Sequence, residues 1–253
     1  MDGTMEKKRI VTFYGCDTQT GTTMVSLSAA EVLAEEGLRT LYISAGVHPG
    51  ITYAFMEKAG CLADLYGSYL DGKMAETELA QMVTEHRGVD ILPGIRSWQS
   101  GRHAMTGLLQ ETCRLALRRW EYVVIDGGSC WEVGMGGEAV QAAGQLFLVI
   151  TQQEKALERW SLRKGWFQSL EPENRCFLVN KFNSSGAFYT ENQMRRLLEC
   201  TEKDLLTVPY VPFGWQAEAD RATLLRYTKF RKGIRKVAEY IRKKGELADN
   251  EKG

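Results

Sequence analysis

The sequence predicts an α/β protein with a doubly wound, mostly parallel sheet and helices on both faces. Short apolar runs alternate with helix-length amphipathic patterns along the 253 residues. Several of these runs are apolar throughout, as expected of strands covered on both sides. No internal repeat and no Pro-, Gly- or Ser-rich linker breaks the alternation, so one domain over residues 1–242 is expected, followed by a charged, fraying tail over 243–253.

Strands are predicted at 10–14, 40–44, 89–92, 122–125, 145–151, 176–180 and 206–211, all rich in Val, Ile, Leu, Phe and Tyr. Helices are predicted at 22–36, 107–119, 154–170, 190–199 and 220–244. The first places Met24, Val25, Leu27, Ala29, Val32 and Leu33 along an apolar face and stops at Gly37, a residue suited to a helix end. Strand and helix alternating at this spacing imply βαβ units with right-handed crossovers.

Composition excludes some functions. An apolar fraction of 44% supports a sizeable core, and 32 basic residues balance 32 acidic ones. Zero net charge gives no global drive toward nucleic acid or acidic lipid. The six cysteines form no C-x-x-C pair, and no apolar run approaches the ~18 residues of a membrane span. The apolar stretch after Lys7, Lys8 and Arg9 is too short for a secretory leader. Free thiols and a cytoplasmic location, at most peripheral to the inner membrane face, are expected.

The first strand runs into the loop "GCDTQTGTT", residues 15–23. In an open α/β sheet, ligands sit beyond the carboxyl ends of the strands. A phosphate-binding loop there reads G-x-x-x-x-G-K-[ST]: its glycines let amides approach phosphate, its lysine neutralises charge, and its hydroxyl holds magnesium. Aligned on Gly21, this loop has the right length and keeps the hydroxyl as Thr23. Cys16 stands at the first glycine, with Gly15 one step earlier, and Thr22 stands at the lysine.

Later segments fit the same pattern. "LYISAG" spans 41–46, "LADL" 62–65, "VDILPG" 89–94, "YVVIDGG" 122–128, "FLVNKF" 177–182 and "VPYVPF" 208–213. In order and spacing these resemble the MinD/ParA group of P-loop ATPases, from about Lys8 to Arg242. That group's loop reads roughly K-G-G-x-G-K-[ST]-T. Its upstream lysine, which reaches across a dimer to the partner's nucleotide, falls here on Asp17, and the next two glycines fall on Thr18 and Gln19. Its acidic D-x-D is replaced by Ser44, Ala45 and Gly46. Within the group the chain is most similar to the CpaE/TadZ branch of Flp pilus assembly, which shares Gly-Thr-Thr after the loop but usually carries a receiver-like N-terminal domain.

The resemblance implies ATP and magnesium as cofactors. Gly15, Cys16, Gly21, Thr22, Thr23, Asp126 and Asn180 would form the nucleotide site, with Thr23 and Asp126 holding the metal and Asn180 meeting adenine. It also implies a homodimer with protein partners in a pilus- or secretion-type machine. Two charges at ~4 Å interact by about 4 kcal/mol at an effective dielectric near ~20. Having Thr22 for lysine removes an attraction of that order, and Asp17 adds repulsion if it faces inward. Since phosphoryl transfer depends on charge neutralisation, efficient ATPase activity is not expected and no catalytic residue is assigned.

Three functions stay open: a non-catalytic scaffold or localisation factor, a slow ATPase with Lys181 or Arg102 as an unconventional cation, and a DNA-associated partition-like protein using the basic last helix. Each residue also has a structural role to weigh. Thr22 and Thr23 suit helix capping, Asp126 suits capping its own loop, and Asn180 suits a turn. Cys16 and Cys130 follow neighbouring strands and are weighed as a thiol pair or metal site, which no His or Cys spacing supports, and the histidines suggest no triad. The glycine-rich stretch 127–137 reads as a loop, and Trp98 and Trp131 as loop tryptophans on the ligand side, suited equally to partner contacts and to filling the space of a lost nucleotide.

Overall fold

The computed structural model describes residues 7–46, 53, 60–95, 105–130, 135–169, 174–186 and 188–250. In chain order the elements are β1 (Ile10–Gly15), α1 (Thr22–Glu35), β2 (Thr40–Ser44), α2 (Tyr66–Leu70), α3 (Glu76–Met82), β3 (Thr84–His86), β4 (Val89–Leu92), α4 (Leu108–Ala116) and β5 (Tyr122–Asp126). Then follow α5 (Gly136–Ala142), β6 (Gln145–Ile150), α6 (Glu154–Ser169), β7 (Arg175–Phe182), α7 (Glu191–Leu198), β8 (Leu205–Pro209), α8 (Gly214–Ala219) and α9 (Thr228–Asn250). The strands form one eight-stranded sheet in the order β3-β4-β2-β5-β1-β6-β7-β8. All pairings are parallel except the β3–β4 edge hairpin.

Alternation along each strand splits the core. Val11 and Phe13 of β1, Tyr42 and Val124 face α1 and α9. Ile43, Val123 and Ile125 face α3 to α5, while Tyr14, Leu148 and Phe177 face α6 and α7. Each central strand is therefore buried on both sides, which is why it reads as a continuous apolar run. Ile234, Val237, Ala238 and Ile241 of α9 are fully buried. Its basic face is partly neutralised by α1, through Arg231 with Glu35 at 2.6 Å and Arg242 with Glu36 at 2.9 Å.

The structure corrects several expectations. The strand β3 carries no sequence signal: Thr-Glu-His is polar, and it pairs with β4 through a tight hairpin in which Arg87 and Gly88 both take positive φ, 54° and 80°. The glycine-rich stretch is not all loop, since α5 begins at Gly136. The predicted helix at 220–244 begins only at Thr228, after a 3-10 turn at Leu224–Arg226, and the short helix α8 that precedes it was not expected.

At the carboxyl end of β4, a Cβ on Gly94 would lie 1.9 Å from the Ser44 carbonyl oxygen at the end of β2. Backbone cannot yield cheaply there, so Gly94→Ala should destabilise the fold by about 2 kcal/mol or more. Urea denaturation measures this; an unchanged midpoint would contradict the packing described.

Candidate nucleotide site

The loop between β1 and α1 is held by its carbonyls. Arg163 of α6 donates to the Cys16 oxygen at 3.3 Å, and the Thr20 hydroxyl to the Asp17 oxygen at 3.2 Å. Lys181 donates to the Gln19 oxygen and Asn180 to the Thr20 oxygen, both at 2.8 Å. With the Gln19 and Thr20 carbonyls engaged, the Thr20 and Gly21 amides turn the other way. The amides of Gln19, Thr20, Gly21, Thr22, Thr23 and Met24 have no protein acceptor among the described residues. Gln19 and Gly21 take left-handed φ, 60° and 83°, ahead of the helix. Left- and right-handed residues in succession with free N–H groups form an anion-binding concavity, and the α1 dipole adds to it.

The side chains fill the loop differently from the sequence expectation. Neither Thr22 nor Thr23 caps α1; the cap position is Gly21, with no side-chain bond. The Thr22 hydroxyl instead meets that of Thr20 at 3.1 Å. Both hydroxyls crowd Gly15, where a Cβ would lie 2.7 and 2.8 Å away, so a larger residue there would have to displace them. The Cys16 side chain is fully buried in the apolar cluster beneath α6, and burial pushes its thiol far above the ordinary range. It contributes backbone to the loop, not a ligand. No disulfide joins the described cysteines, and no cluster of metal-binding side chains occurs among the described residues.

Asp17 does not face the concavity as a bare charge. Its carboxylate accepts from the Thr18 amide at 2.7 Å and forms an ion pair with Arg159 of α6. Neither arginine is marked by any local motif, and Arg159 lies 142 residues from Asp17. Of the two cations the sequence did suggest, Lys181 sits on the loop, where burial lowers its pKa. Arg102 lies outside the described residues, as do Trp98 and Trp131.

At the floor, the Thr23 hydroxyl donates to Asp126 at 2.5 Å. Tyr42 also donates to that carboxylate at 3.3 Å, and the Gly128 amide at 3.0 Å. Asp126 thus caps its own loop and meets Thr23 at once. A hydroxyl and a carboxylate side by side are the hard oxygen donors that suit magnesium. Asn180 is neither a free turn residue nor an open amide, because its Nδ2 is engaged by the loop. A bulge between Val179 and Phe182 places it there. Beyond it opens a cleft of about 450 Å³ lined by Gly21, Met24, Asn180, Lys181, Tyr210 and Trp215, among others.

No family model matches the chain, and no curated protein matches it by sequence. Solved structures do match. A ParA family ATPase from Chlorobium tepidum TLS superposes with a TM-score of 0.79 at 16% identity, over 92% of this chain and 98% of that one. The fold is that of the MinD/ParA P-loop ATPases. The MinC:MinD cell division protein complex of Aquifex aeolicus gives 0.72 at 14% identity, over 93% and 95%. The septum site-determining protein MinD of Pyrococcus horikoshii OT3, complexed with Mg-ADP, gives 0.68 at 16%, over 97% of each chain. Among the described residues, no helix is long and apolar enough to cross a membrane.

Burial raises the pKa of Asp126 above its ordinary 3.8, against the hydrogen bonds from Thr23, Gly128 and Tyr42. The folded protein therefore holds this proton to higher pH than the unfolded chain does. Its contribution is fully favourable below about 3.8 and declines as pH rises through the folded value. Asp126→Asn, whose amide the two hydroxyls can turn to accept, should gain stability relative to the parent over that window without magnesium. Denaturation midpoints at a series of pH values check this; a pH-independent difference would contradict it.

Proposed function

We propose that this chain binds a magnesium nucleoside triphosphate on the β1–α1 loop, does not turn it over efficiently, and acts through protein contacts as a scaffold or localisation factor. The observation that carries this reading is the row of six amides, residues 19–24, with no protein acceptor while side chains hold the loop carbonyls. Such a row is an anion site without any lysine. Thr23 and Asp126 would hold magnesium, which neutralises phosphate charge when bound. The cleft of about 450 Å³ beside Gly21 and Asn180 is of a size to take the base and sugar. The Mg-ADP of the Pyrococcus horikoshii protein is a precedent in the same fold.

Slow turnover follows from Thr22. Its hydroxyl is engaged with Thr20 and carries no charge to offset what develops on the transferred phosphoryl group. Protein contact as the output has its precedent in the MinC:MinD complex. A homodimer, and a place in a pilus or secretion assembly, rest on the motif resemblance alone. DNA association is less favoured, since part of the basic face of α9 pairs with α1.

Calorimetric titration with magnesium-ATP should show binding that Thr23→Ala abolishes. Turnover should stay far below the ~1 s⁻¹ at the low end of ordinary enzymes. No heat at millimolar ATP, or binding indifferent to Thr23→Ala, would overturn the reading.

A further inference from the structure

We propose that helix α6 supplies the positive charge the loop itself lacks, with Arg163 as the cation that sets phosphate affinity and Arg159 as the residue that cancels Asp17. The inference rests on the loop being a nucleotide site and goes beyond it by naming what replaces the lysine.

Arg159 and Arg163 are four residues apart, so they project from one side of α6. The side they share lies against the loop. Arg159 pairs with Asp17, and Arg163 reaches the carbonyl oxygens of Cys16 at 3.3 Å and Ser129 at 3.5 Å. Those two carbonyls belong to the segments that follow β1 and β5, so Arg163 bridges both sides of the site. The partners differ in a way that matters. The Asp17 carboxylate offsets the Arg159 charge. The acceptors of Arg163 are neutral, so its charge persists at the loop. Lys181 repeats this arrangement on the other side, donating to the neutral Gln19 carbonyl. A phosphate anion in the concavity of amides thus lies in the field of a guanidinium from α6 and an ammonium from the end of β7. Neither comes from the loop's own sequence. Both arginines act as positioning residues, through the field and the loop backbone.

The test uses calorimetric titration of the full chain with magnesium-ATP and, separately, with inorganic pyrophosphate. Arg163→Gln, which retains a donor and loses the charge, should weaken both ligands about tenfold, and the loss should shrink at high salt. Arg163→Lys should restore affinity to within about threefold, since the charge at the carbonyls returns. Asp17→Asn keeps an acceptor for the Thr18 amide, frees the Arg159 charge and should tighten binding several-fold. Because Arg159→Gln alone leaves a buried carboxylate unpaired, it is made together with Asp17→Asn, which should return affinity to near the parent value.

Equal weakening by Arg163→Gln and Arg163→Lys would mean that geometry rather than charge matters, and would overturn the inference. So would unchanged affinity in all these variants while Thr23→Ala abolishes binding; that result leaves the nucleotide reading standing. Binding in no variant, Asp17→Asn included, would overturn both.

Discussion

Side chains from α6 and from the bulged end of β7 grip the carbonyls of one short loop, and the orientation of that loop depends on this grip. Arg163, Asn180 and Lys181 each engage a different carbonyl between Cys16 and Thr20. A peptide unit whose oxygen is held on one side presents its N–H on the other. The Thr20 and Gly21 amides, which share peptide units with the carbonyls that Lys181 and Asn180 hold, are thus presented by tertiary contacts and not by a glycine-rich sequence. A loop with Thr18, Gln19 and Thr20 at its centre needs such support, because these residues do not adopt the required backbone as freely as glycine. The left-handed Gln19 is the residue whose own carbonyl Lys181 holds.

The sheet makes the grip possible. Strand order places β1 between β5 and β6, with β7 one strand further, so the ends of β1, β5 and β7 converge. Asp126 comes up from β5, Tyr42 from β2 and Thr23 from the first turn of α1. Their cluster is a buried acid held by two hydroxyls and an amide. Its burial raises its pKa, a cost to the apo fold that makes sense if a cation is the usual neighbour. Charge at the mouth of the site follows the same logic. The acid at Asp17 is offset by Arg159, so the loop is not the electrostatic dead end that its sequence suggests.

The fold was legible because its signal is local and repeated. Val123, Leu148 and Leu178 sit in runs with no polar interruption, and such runs have few alternatives to buried parallel strands. The polar strand β3 carried no such signal. Helix α5 was hidden by Gly136 and Gly137, which favour loops by propensity yet here start a helix whose Ala139 and Val140 are buried. The site was legible only in outline. Thr23, Gly21 and Asp126 could be placed by spacing along the chain. The arginines could not, because each meets its loop partner from more than 140 positions away, Arg163 from 147. The expected threonine caps were a natural inference from composition, but Gly21 in the left-handed region took the cap position and sent both hydroxyls elsewhere.

The central claim is that the amides of residues 19–24 form the anion site. The most direct measurement is an amide-resolved NMR titration of the isotopically labelled chain with magnesium-ATP. The account predicts that the largest shifts fall on Gly21, Thr22 and Thr23, in the row that lacks protein acceptors, and that they saturate together. Shifts centred away from this loop, or none on it at saturating ligand, would contradict it.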